Sequence, residues 1–171
     1  DFAWKIEPPM TALLMGAGYL GGVYFFLVAA AARKWHFVKV GFPAVAVFTG
    51  FMFIATILHL DKFNRNISFY LWTIIYAASP ILLLWLRWRN RFADDGKPAE
   101  RDVVVPNEFR LILKITGVFF GSVAIVGFIL PSAMMIIWPW ILTPLTTRVL
   151  CGWFSLVGVG SFLISNENRW S

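Results

Sequence analysis

Met10-Thr-Ala-Leu-Leu-Met-Gly-Ala-Gly-Tyr-Leu-Gly-Gly-Val-Tyr-Phe-Phe-Leu-Val-Ala-Ala-Ala-Ala32 contains no charged residue and is followed at once by Arg33 and Lys34. An α-helix rises 1.5 Å per residue, so roughly 20 apolar residues cross the ~30 Å hydrocarbon layer of a bilayer. This run is long enough. It also lacks the basic n-region and small-residue cleavage site of a signal peptide, so it reads as a membrane span. Four more runs of similar character follow at Phe37–Leu60, Ile67–Leu86, Phe109–Leu130 and Pro144–Ile164. Apolar residues make up 59% of the chain and charged residues 14%, against about 45–50% and about 25% in soluble domains. The expected fold is therefore all-α, one integral membrane domain over residues 1–171, built as a polytopic bundle of about five transmembrane helices.

The approach to this first span recurs before the last. Shifted by 136 positions, Phe2-Ala-Trp-Lys-Ile-Glu-Pro-Pro-Met-Thr11 lies over Trp138-Pro-Trp-Ile-Leu-Thr-Pro-Leu-Thr-Thr147 without a gap. Trp4 falls on Trp140, Pro8 on Pro144, Thr11 on Thr147, Gly16 on Gly152 and Gly22 on Gly158, giving a parallel repeat of residues 2–27 and 138–163. Each copy reads as an interfacial aromatic, an extended X-Pro step, a proline opening a helix, and a Gly-bearing span. Four spans separate the copies, so the two lead-in segments are expected on one membrane face. The segment 131–143, apolar but broken by prolines, is expected to lie in that interface, with Thr143 capping the last helix and Pro144 at its first position.

Charge placement predicts which face that is. Lys5, Lys62, Arg65 and Arg148 fall on the side of the N-terminus, and the other eleven basic residues on the opposite side. A bias of eleven against four predicts an N-terminus outside and a C-terminus in the cytoplasm, in a bacterial inner membrane. The net charge of +6 is thereby absorbed by topology and anionic headgroups, and nucleic acid is not expected as a partner. The polar segment 93–107 is the one expected cytoplasmic loop.

Within the spans, Gly18-x-x-x-Gly22, Gly117-x-x-x-Gly121, Gly152 and Gly158 place small residues one turn apart, which lets helix backbones approach closely in lipid. They serve packing inside the bundle or a surface for another subunit. Pro80 is expected to kink the third span.

Candidate chemistry is sparse. His36 and His59 flank span two about 34 Å apart on a straight helix, too far to grip one haem. A single axial ligand at either face leaves haem or another pigment open as a minor alternative, but no cofactor is the leading expectation; no metal site is expected either, since His59-x-Asp61 lacks a third ligand. The outer face gathers a polar cluster of Glu7, His59, Asp61, Thr143, Thr147 and Arg148, and an aromatic set of Trp4, Trp138 and Trp140 suited to a pocket. Arg148 lies about one turn inside the last span, where an unpaired guanidinium is expensive. Pairing with Asp61 or Glu7, completed by His59 and the threonine hydroxyls, is the expected solution; a site for a polar headgroup or anion is the alternative. No nucleophile motif or phosphate loop accompanies these residues, so no catalytic residue is assigned. Mid-membrane depth holds no ionisable group of the kind ion-coupled transport uses.

The motifs Phe2-Ala-Trp-x-Ile-x-Pro-Pro-Met-Thr-Ala12, Gly16-Ala-Gly-Tyr19, Ala55-Thr-Ile-Leu-His-Leu-Asp-Lys-Phe63 and Trp138-Pro-Trp-x-Leu-Thr-Pro-Leu-Thr-x-Arg148 resemble those of a family of uncharacterised bacterial multi-pass membrane proteins. The resemblance implies a small integral protein of the cell membrane and brings no activity with it. In span count and in tryptophan and proline content the chain is also similar to the tryptophan-rich sensory proteins, which bind tetrapyrroles and sterols, although the repeat is not their motif. The leading expectation is an accessory subunit of a larger membrane assembly or homo-oligomer, in contact with membrane lipids. A binder of a lipid, sterol or tetrapyrrole-like molecule in an outer-face pocket comes second and a membrane-embedded enzyme third.

Overall fold

A computed structural model describes residues 3–94 and 103–167. Six helices follow in order: α1 (Pro9–Ala31), α2 (Gly41–Leu58), α3 (Ile67–Arg89), α4 (Asn107–Ile129), the short α5 (Pro131–Ile137) and α6 (Pro144–Ile164). All but α5 are long and apolar enough to cross a membrane. The protein is a polytopic membrane helix bundle. Much of the expected loop at 93–107 lies outside the described residues.

Local chemistry sets the helix boundaries. α1 and α6 open with a proline at the first position, where the absent N–H has no helical partner in any case. Thr143 caps α6 reciprocally with Thr146, each side chain accepting from the other's backbone N–H. Asn66 caps α3 by accepting from Phe69 N at 2.9 Å. α2 starts four residues later than the apolar run suggests, because Trp35–Phe37 forms a 3-10 turn first. That delay puts Pro43 in the first turn of α2, where it breaks no bond. α3 runs through Pro80 to Arg89.

α6 is the central helix, buried along one side by Leu145, Val149, Leu150, Cys151, Gly152, Ser155 and Gly158, and it packs chiefly on α4 and α2. Its crossing with α4 is a backbone contact. A Cβ built on Gly158 would lie 2.6 Å from the Gly121 nitrogen, and one on Gly117 would lie 2.7 Å from the Phe162 nitrogen. Gly152 leaves room for the Met52 methyl in the same way, where a Cβ would come within 2.8 Å. Without a hydrophobic driving force between helices in lipid, such close approach is the main source of association.

α1 is attached differently. Only Thr11 and Met15 of its residues are buried. Large aromatics bridge it to the bundle: the Tyr19 and Tyr76 hydroxyls share a hydrogen bond of 2.8 Å, Tyr19 meets Trp153 edge to face, and Gly18 receives the Trp153 ring. These side chains hold the α1 backbone away from its neighbours.

The two ends of the bundle contrast. At the end where α2 and α4 begin, Lys39 Nζ reaches Asp94 at 2.9 Å and Glu167 at 3.0 Å, Arg87 donates to the Lys39 carbonyl, and Arg110 donates to the Ser165 carbonyl at the close of α6. At the opposite end, where α1 and α6 begin, the lead-in segments of the two repeat copies interlock: Trp140 Nε1 of the second donates to Thr11 Oγ1 of the first at 3.0 Å. The copies do lie together, and this is the repeat end of the bundle.

Candidate functional site

The expected polar cluster at the repeat end separates into local pairs. Glu7 binds its near neighbour Lys5 at 2.6 Å, and Asp61 binds Lys62 at 3.0 Å. The Lys62 ammonium holds the Asp61 carboxyl below its ordinary range, chiefly through that hydrogen bond. Thr143 and Thr147 cap and back-bond α6, Thr147 Oγ1 donating to the Thr143 carbonyl at 2.9 Å. None of these groups is directed to Arg148, and among the described residues no carboxylate forms an ion pair with it. The expected carboxylate pairing of Arg148 is thus replaced: short-range competition from Lys5 and Lys62 takes both acids.

Arg148 instead bridges two helix C-termini. Its Nε donates to the Phe128 carbonyl at 3.1 Å, one of the last four carbonyls of α4, which have no helical partner. Its Nη1 lies 2.6 Å from His59 Nε2, and His59 is the residue that closes α2. A guanidinium only donates, so His59 accepts and carries its proton on Nδ1. Burial, and then the adjacent Arg148 charge, push the His59 pKa below its ordinary value. The folded chain thus binds a proton at His59 less readily than the unfolded chain. This favours folding above about pH 6.5 and is lost as the pH falls through the lowered value.

The expected aromatic set does not enclose one pocket. Trp4 is only 3% exposed and packs edge to face on Phe63 at 5.1 Å and Trp72 at 4.9 Å. Trp138 meets Trp140 edge to face at 5.0 Å and Phe154 at a tilt. The glycines also divide. Gly18, Gly117, Gly152 and Gly158 sit at close contacts, and Gly121 supplies the backbone that Gly158 meets, but nothing lies within 4 Å of where a Gly22 side chain would start. Gly22 is no packing residue within the bundle. It faces a cavity instead.

That cavity, of about 630 Å³, opens between α1, α2, α3 and α6. The arms that prop α1 outward form its walls: Tyr19, Phe26, Phe48, Tyr76 and Trp153, with Gly22 as the low point on the α1 side. The polar groups in this lining are few. Thr49 and Ser79 donate their hydroxyl protons to Val45 and Ile75 carbonyls of their own helices. Of the two tyrosine hydroxyls, one donates to the other, leaving one O–H proton over. The Trp153 indole N–H, buried, has no acceptor among the described residues. The Trp153 nitrogen is itself covered, so the cavity is an apolar space with one surplus hydroxyl donor and no charge. Sequence reasoning missed it, although two tyrosines facing mid-span in uncharged helices were a usable signal.

Comparison of the chain with protein-family models, with curated proteins and with solved structures finds no match. Function is read from the geometry of a membrane helix bundle alone.

Proposed function

We propose that this protein binds a neutral, largely apolar membrane molecule carrying a hydrogen-bond acceptor, such as a carbonyl, in the lateral cavity between α1, α2, α3 and α6. The observation that carries the reading is the composition of the cavity wall. Its volume falls in the range of small-molecule sites, roughly 300–1,000 Å³, and its lining is apolar apart from a few hydroxyls and one indole. A charged headgroup finds no counter-ion there. An acceptor finds the spare tyrosine proton, a donor otherwise left unsatisfied in a dry environment. A histidine-ligated haem is disfavoured there because neither histidine lines the cavity.

Gly22→Leu tests this directly. The new side chain enters open space, so the fold is expected to survive with an unchanged melting temperature, while the cavity is filled. Mass spectrometry of solvent extracts from protein purified in mild detergent is expected to find a neutral amphiphile with the wild type and to find it depleted in Gly22→Leu. Tyr19→Phe is expected to weaken retention by about fivefold to tenfold, the worth of roughly one hydrogen bond. Equal retention by all three proteins would dismiss the binding role.

A second reading, an accessory subunit, is supported by the repeat. Gly152 and Gly158 of α6 are covered by α2 and α4, whereas their counterparts Gly16 and Gly22 on α1 have nothing within 4 Å. In that reading another helix covers α1, and a stable complex on gel filtration, disrupted by Gly16→Leu, is the distinguishing result.

We also propose that the repeat end faces outward in a bacterial inner membrane. A reporter inserted at Asn64 is expected to be external and one fused after Glu167 cytoplasmic; the reverse pattern would invert the assignment.

A further inference from the structure

We propose that Arg148, positioned by His59 and the α4 C-terminus, is a binding site for a phosphate group at the membrane surface of the repeat end. Arginine has five N–H donors, and the two bonds to Phe128 and His59 leave three without an acceptor among the described residues. The partial negative ends of α2 and α4 orient the guanidinium without neutralising its full charge. Glu7 and Asp61, the acids sequence proximity offers, are held by lysines. Arg148 sits only one turn into α6, with Phe128 beneath it at 5.8 Å, so its free donors lie at headgroup depth rather than mid-membrane.

The fork of a guanidinium matches two oxygens of a phosphate, and a tetrahedral anion accepts several donors at once. His59 acts here as a positioning residue: by accepting from Nη1 it fixes the plane of the fork. This site is separate from the cavity, whose lining includes neither residue. Its failure would leave the cavity reading intact, and the reverse also holds.

The chemistry is shared by a phospholipid headgroup and by free phosphate, and two measurements separate them. In the first, wild-type protein in nanodiscs of phosphatidylcholine with phosphatidylglycerol is released in the mass spectrometer and the retained lipid counted. Preferential retention of one phosphatidylglycerol is expected, reduced about tenfold in Arg148→Gln, the scale of a lost charge-assisted bond, and unchanged in Arg65→Gln at the same end. Arg148→Lys, which keeps the charge and loses the fork, is expected to fall between. In the second, inorganic phosphate is titrated in detergent while the melting temperature is followed. A rise in wild type that Arg148→Gln lacks, without lipid preference, assigns the site to a soluble phosphate. Wild-type protein showing neither lipid preference nor a response to phosphate overturns the proposal, whether or not any variant folds.

Discussion

Gly158→Leu is expected to prevent recovery of a folded, monodisperse protein from detergent, and Gly158→Ala is expected to lower its stability by about 1–3 kcal/mol. The reason is the nature of the obstacle. A Cβ at this position meets the Gly121 nitrogen and Cα at 2.6 and 2.9 Å and the Gly117 carbonyl oxygen at 3.2 Å, all backbone atoms of α4 that no rotamer change can clear. The helices must separate along the largest contact in the bundle, and in lipid no hydrophobic gain compensates. The same crossing supplies its own control. A Cβ on Gly121 meets nothing within 4 Å, so Gly121→Ala is expected to be silent although it belongs to the same small-residue pattern. Thermal unfolding followed by gel filtration checks both. Equal sensitivity at the two positions would mean that the crossing is not the one described.

That asymmetry marks the limit of what the sequence conveys. The five spans and the sharing of one face by the two lead-in segments were readable because length, hydropathy and proline placement are local properties, constrained by the bilayer itself. Which glycine of a pair touches its neighbour depends on helix rotation, which no single helix encodes. Gly22 and Gly158 occupy equivalent repeat positions, yet one faces a cavity and the other a backbone. The Arg148 environment failed to be readable for a different reason. Depth alone indicated that the guanidinium needed partners, but it pointed to acids, and the lysines at positions 5 and 62, two residues and one residue from them, were the nearer competitors. That competition was visible in the sequence. The roles of Phe128 and His59 were less so, because they arise from two helices ending side by side. The cavity is wholly tertiary: it exists because Tyr19, Trp153 and Tyr76 are too large to let α1 close on α3 and α6.

The anchoring of α1 makes Trp4→Ala the other change with a large expected effect. Trp4 precedes α1, lies 3% exposed between Phe63 and Trp72, and is followed through the chain by the only two buried residues of that helix, Thr11 and Met15. Beside it the Asn64 N–H donates to the Ala3 carbonyl at 2.8 Å, so the lead-in to α1 is tied to the α2–α3 connection by both backbone and ring contacts. Truncating a buried tryptophan leaves a void worth about 3–5 kcal/mol, and its two edge-to-face partners lose a further contact each. A melting temperature lower by on the order of 10 °C is expected. Trp88→Ala, at a ring 60% exposed and stacked under Arg91, is expected to shift it by about one-tenth as much or little more. Because α1 forms one wall of the cavity and has few other attachments, Trp4→Ala is also expected to release the bound amphiphile at temperatures where the remaining helices stay folded. Hydrogen exchange would then show α1 amides exposed ahead of those in α2, α4 and α6. Uniform exchange across all five spans would instead mean that α1 is held by contacts along its length, and that the cavity is not bounded by a weakly anchored helix.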